Sequence, residues 1–118
     1  MNILDKITDT GNSPLIVAEL SGNHGGDLGK AFQLVESAVE AGADAIKLQT
    51  YKPETITVDG EDDRFLLKEG LWKGRYLKDL YRDAMTPWEW HKPLAQKAEE
   101  FGSFLFSSPF DELSLIHI

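Results

Sequence analysis

Cysteine is absent from this 118-residue chain. That excludes a disulfide framework and any thiolate metal site, so nothing calls for an oxidising compartment and the cytoplasm is the expected location. No apolar run approaches the roughly 18 residues of a membrane-spanning helix. Residues 1–13 also lack the basic flank and apolar stretch of a secretory signal. No membrane partner is expected. Positive charge is scarce: 12 Lys and Arg stand against 20 Asp and Glu, a formal net charge of −8. Nucleic-acid binding relies on clustered cations that release counterions, so it is excluded too. An anionic small molecule would have to be captured by a few locally placed cations and backbone amides.

What is present has the make-up of an ordinary globular domain, with 42% hydrophobic and 27% charged residues. Leu15, Ile16, Val17 and Ala18 form an unbroken apolar run that ends in Glu19, Ser21, Asn23 and His24. Continuous hydrophobicity marks a strand covered on both faces, and predicts a first parallel strand over residues 15–20. Gly22, Gly25 and Gly26 make a loop, Asp27 caps a helix with apolar residues every three or four positions from Leu28 to Val39, and Gly42 sits where that helix should stop. Residues 45–50 read as a second strand with Ile46 and Leu48 on one face and Lys47 and Gln49 on the other. Strand, helix and strand in about 35 residues form a right-handed βαβ unit.

From Tyr51 to Met85 the period fades, and a long loop with one short helix near residues 77–84 is expected. Connections of this length are usually functional or disordered, and the aromatics here favour packing over a binding site. Thr86, Pro87 and Glu89 form a capping box, which predicts a helix over residues 87–101 that stops at Gly102. Residues 103–108 read as a third strand, and Ser108, Pro109, Phe110 and Asp111 repeat the capping pattern for a further helix. The alternation points to an α/β fold: a partial (β/α)8 barrel comprising its first three strand-helix units. The whole of 1–118 is then the amino-terminal part of a barrel domain, truncated, with the apolar residues 113–118 a possible non-native tail.

In such barrels chemistry sits at the carboxyl ends of the strands. All three ends are polar here: Glu19 with Asn23 and His24, Lys47 with Gln49, and Ser107 with Ser108. A buried Lys47 needs a carboxylate or an anionic ligand, and a structural ion pair with Glu19 satisfies that need as well as a substrate does. Ser107 and Ser108 suit a phosphate or carboxylate, or simply cap a helix. His24 has no second ligand at metal spacing and reads as a hydrogen-bonding loop residue; His91 reads as a partly exposed packing residue. Neither the dinucleotide fingerprint nor the phosphate-loop pattern is present.

Three segments carry a family resemblance: Ile16 to His24, Ala41 to Thr50, and Phe106 to Asp111. Together they resemble the amino-terminal part of the sialic acid synthase family. Lys47 to Tyr51, Gly70 to Arg75 and Thr86 to His91 are similar to its pseudaminic-acid-forming branch, with the N-acetylneuraminate and legionaminate branches as alternatives. The resemblance implies condensation of phosphoenolpyruvate with an amino-sugar aldehyde, 2,4-diacetamido-2,4,6-trideoxy-altrose in that branch, giving a nonulosonic acid and phosphate. It implies Glu19 and Lys47 as catalytic residues and Asn23, His24, Gln49, Trp72, Arg75, Ser107 and Ser108 as substrate contacts. It further implies a divalent metal, Mn or Mg, whose ligands lie on later strands, and a homodimer for the full-length enzyme. The competing expectations are a non-catalytic fragment that binds anions weakly, and a different barrel enzyme for phosphorylated three-carbon substrates.

Overall fold

The computed structural model describes residues 3–8, 11 and 13–118. Three parallel strands, β1 (Val17–Glu19), β2 (Ala45–Thr50) and β3 (Phe104–Pro109), lie side by side in chain order. The helices α2 (Leu28–Glu40) and α5 (His91–Glu100) connect them and pack on one face. The core is formed there by Leu20, Ala31, Val35, Ile46, Leu48, Leu94 and Ala98. Because side chains alternate along a strand, Ile46 and Leu48 enter this core while Lys47 and Gln49 stand on the opposite face.

Local sequence explains α2 well. The Asp27 carboxylate accepts from the Lys30 amide at 2.9 Å, and Gly42 takes the left-handed conformation (φ 100°) that ends the helix. The first strand is shorter than predicted. Ile16 and Val17 remain 52% and 39% exposed. Asp44 compensates at that edge: its carboxylate accepts from the Ile16 amide at 2.8 Å and pairs with Lys6 of α1 (Ile3–Thr8), a helix the sequence reading did not anticipate. These two donors hold the Asp44 carboxyl below its ordinary value.

The predicted helix α4 (Leu77–Ala84) is present, and a further single turn, α3 (Pro53–Ile56), precedes it. Two capping expectations are corrected. Thr86 does not cap α5: the chain first makes a 3-10 turn over Trp88–Trp90, and the Thr86 hydroxyl is 3.0 Å from His24 Nε2 instead. At the other end, β3 runs on to Pro109, so α6 (Glu112–His117) starts later and Asp111 caps it, accepting from the Ser114 amide at 3.2 Å. Leu113, Leu115 and Ile116 are exposed on α6, but Ser114 is buried and His117 stacks on Trp88 at 4.2 Å.

Candidate active site

The strand register decides which polar residues meet. Glu19 lies opposite Lys47, Lys47 opposite Phe106, and Gln49 opposite Ser108. In a parallel sheet, directly paired residues share a face, so Glu19, Lys47, Gln49, Phe106 and Ser108 all project away from the helices. Lys47 Nζ is 3.0 Å from Glu19 Oε2, with about a third of each side chain exposed (30% and 34%). The ion pair weighed from the sequence is therefore formed. It keeps access to solvent, so an incoming anion can exchange for the carboxylate without burying an unpaired charge.

At the carboxyl ends of β1 and β2 opens a cleft of about 430 Å³, within the range of small-molecule sites, which neither Glu19 nor Lys47 lines. Asn23, Gln49, Tyr51, Trp72, Arg75 and Tyr81 line it. Its outer wall is the long connection, which is ordered by its own backbone rather than loose. Leu66 bridges Tyr76, the Leu67 amide donates to the Arg75 carbonyl at 2.9 Å, and the Gly74 amide donates to the Leu67 carbonyl at 2.8 Å. Gly74 adopts φ 87°, which an L side chain rarely takes, and so turns Trp72 and Arg75 toward the strand ends. Arg75 is held by an ion pair with Asp83 of α4. On the other wall, Gly22 lies so close to α4 that an added Cβ would sit 2.7 Å from Ala84 Cβ.

A slightly larger cavity, about 470 Å³, lies below the sheet beside α1, lined by Lys6, Asp44 and Phe104 among others. It is at the amino ends of the strands, where barrel enzymes keep stability rather than chemistry. Lys6 and Asp44 are also already spent on each other there.

Of the nine expected site residues, Asn23, Gln49, Trp72 and Arg75 line the cleft, Glu19, Lys47 and Ser108 lie on the inner face without lining it, and His24 and Ser107 reach neither. His24 is wholly buried: the Gly26 amide donates to its Nδ1 at 3.0 Å, Nε2 meets Thr86, and its ring packs edge-on to Trp90 at 5.0 Å. Accepting at Nδ1 places the hydrogen on Nε2, which donates to Thr86. Burial first, then the charge of Lys30, lowers its pKa and keeps it neutral. Ser107 faces the helix layer, 2.5 Å from Thr50 Oγ1 and donating to the Leu48 carbonyl at 3.0 Å. Only Ser108 shares the inner face with Lys47.

Sequence reasoning missed three residues. Tyr51 and Tyr81 line the cleft in edge-to-face contact at 5.6 Å, and Tyr51 also touches Phe110 at 5.7 Å. Burial, then Tyr81, raises the Tyr51 pKa, so it stays a neutral phenol. The available signal was its position immediately after a strand end. His91 was read as partly exposed, yet it is 5% exposed with both ring nitrogens in polar contact, because the 3-10 turn rotates it toward β2. Among the described residues, no group of three or more His, Asp or Glu could hold a metal ion. No described helix is long and apolar enough to cross a membrane.

Three parallel strands with polar carboxyl ends, a charged pair on the inner face and a cleft at the strand ends define a segment of an α/β barrel. The chain belongs to the NeuB family, whose profile matches residues 34–118. It is 45% identical over 102 residues to the pseudaminic acid synthase of Campylobacter jejuni, covering 86% of this chain and 30% of that protein. It is 34% identical over 110 residues to the N,N'-diacetyllegionaminic acid synthase of Legionella pneumophila, covering 85% and 28% respectively. The crystal structure of an N-acetylneuraminic acid synthetase from Leptospira borgpetersenii superimposes with a TM-score of 0.70 at 28% identity, over 90% of this chain and 32% of that one. The chain thus spans less than a third of these relatives.

Proposed function

We propose that a full-length protein carrying this segment condenses phosphoenolpyruvate with an open-chain amino-sugar aldehyde, and that the segment supplies one wall of the site. The observation that carries this reading is the exchangeable Lys47–Glu19 pair on the inner face, together with a cleft at the strand ends lined by amides and aromatics. Phosphoenolpyruvate is small and multiply charged. Lys47 leaves Glu19 to neutralise its phosphate or carboxylate, and the Ser108 hydroxyl on the same face donates to the same ligand. Glu19, released, orients the attacking water or the aldehyde. C3 of the enol then bonds to the aldehyde carbon, water adds at C2, and the C2–O bond breaks to release phosphate.

Gln49 and Asn23 contact the sugar, while Trp72 and Arg75 cover its acetamido groups, whose methyls suit an aromatic face. The side chains of Ser107 and His24 do not reach this site. The carboxylates and histidines described here do not fit a divalent metal: Glu19 is paired with Lys47, and both ring nitrogens of His24 are occupied. A Mn or Mg ion in this reading is held by residues outside the segment, and no step above passes through it. The protein is read as a cytoplasmic homodimer.

The greater identity to a pseudaminic acid synthase than to a legionaminate enzyme favours 2,4-diacetamido-2,4,6-trideoxy-altrose as acceptor. Incubating the full-length synthase with phosphoenolpyruvate and that sugar is expected to release phosphate. Release with N-acetylmannosamine instead moves the assignment to the neuraminate branch, and no release with any amino-sugar aldehyde refutes the reading. The 118 residues alone are expected to bind anions weakly and turn nothing over.

A further inference from the structure

On the face of the sheet turned away from the cleft, four short polar contacts run in series. His91 Nδ1 lies 3.0 Å from the Trp88 carbonyl oxygen and its Nε2 2.6 Å from Thr50 Oγ1. Thr50 Oγ1 is 2.5 Å from Ser107 Oγ, and Ser107 Oγ is 3.0 Å from the Leu48 carbonyl oxygen. Thr50 is fully buried and His91 nearly so. Both ends of the series are carbonyl oxygens, which only accept. Four contacts therefore need four hydrogens, whereas a neutral imidazole and two hydroxyls supply three.

The contact left without a hydrogen can be any of the four, so four neutral arrangements follow: three keep the imidazole proton on Nδ1 and one puts it on Nε2. With the imidazole proton on Nδ1, the Trp88 carbonyl is satisfied, Nε2 is free to accept from Thr50, and the missing hydrogen falls at a contact that involves a hydroxyl. With the proton on Nε2, the ring donates to Thr50, Thr50 to Ser107 and Ser107 to the Leu48 carbonyl, and a ring lone pair faces the Trp88 carbonyl at 3.0 Å. In that arrangement the gap falls between a ring nitrogen and a carbonyl, neither of which can turn a hydrogen into it, whereas in the Nδ1–H arrangements a hydroxyl borders the gap and can rotate, so the Nε2–H form carries the costlier fault. A charged imidazole would complete all four contacts, but burial lowers the His91 pKa and outweighs the opposing pull of the Trp88 and Pro87 carbonyls and of Glu89.

We propose that His91 is a positioning residue: its Nδ1–H form, accepting from Thr50 at Nε2, anchors the Thr50–Ser107 contact and holds the carboxyl-terminal ends of β2 and β3 in one register, aligning Gln49 and Ser108 on the opposite face. The ligand this alignment serves rests on the phosphoenolpyruvate reading above; the tautomer does not. The test uses a full-length synthase with 15N-labelled histidine, the His91 signals being assigned by their loss in His91→Asn. A neutral ring protonated at Nδ1 with Nε2 accepting is expected. Thr50→Val should erase that signature and raise KM for phosphoenolpyruvate about fivefold with little change in kcat, and Thr50→Ser should restore both. A ring protonated at Nε2, or exchanging rapidly between tautomers, overturns the proposal. So does a Thr50→Val protein that is less stable yet keeps its KM. Should the enzyme condense nothing, the phosphoenolpyruvate reading fails separately, and the tautomer measurement alone decides this one.

Discussion

The two faces of the same three strands are built on opposite terms. On the helix side, Ile46 and Leu48 are wholly buried, and even the polar groups Thr50 and His91 are engaged in a dry network. On the other side, Lys47 and Glu19 remain a third exposed, Phe106 is 41% exposed, and the polar groups keep access to solvent. Residues adjacent in sequence, such as Lys47 and Leu48, therefore answer to different constraints. One face is committed to holding the fold, and the other is left available for a ligand.

The sharpest way to break this contrast is to damage each face in turn. Leu48→Ala removes a fully buried side chain beneath α2 and α5, and should cost about 2–5 kcal/mol in urea unfolding. Lys47→Gln, one residue away, should cost less than about 1 kcal/mol of stability, because its ion pair is partly solvated. In a full-length synthase the same change should lower kcat/KM for phosphoenolpyruvate about 100-fold. Equal stability losses at the two positions would mean that the faces are not divided in this way.

Acidification probes the dry face without mutation. His24 and His91 both have folded-state pKa values below the ordinary imidazole value, chiefly through burial. Their stabilisation is therefore present above about pH 6.5 and lost as the pH falls below it, since the unfolded chain takes up the protons first. The thermal midpoint should drop between about pH 7 and 5. His24→Asn should flatten part of that dependence, and an unchanged slope would show that His24 is not held neutral. The smallest effect is expected at the cleft rim. Trp72 is half exposed, so Trp72→Ala should leave stability nearly unchanged while raising KM for the diacetamido sugar severalfold, about 1 kcal/mol of lost aromatic contact. A steady-state titration of the sugar reads this directly.

Much of the scaffold was legible from residue order. Alternation placed Ile46 and Leu48 opposite Lys47 and Gln49, Asp27 and Gly42 bounded α2, and α4 fell on the predicted residues. The errors have separate causes, all of them tertiary or local geometry that residue order does not encode. Thr86 has the spacing of a helix cap, but a buried His24 sixty-two residues away claims its hydroxyl. Ser107 and Ser108 look equivalent in sequence, yet strand parity sends one to the helices and the other to the inner face. His91 appeared peripheral because a 3-10 turn, which apolar periodicity does not reveal, rotates it inward.

The sequence by itself determined the strand-helix alternation, the polar strand ends and the family to which the chain belongs. Those features reside in local spacing and in motifs that no tertiary contact needs to complete. Only the tertiary structure decided which polar residues serve the cleft and which serve the core. That choice depends on register between strands brought together from distant parts of the chain, where a shift of one residue turns every side chain to the other face.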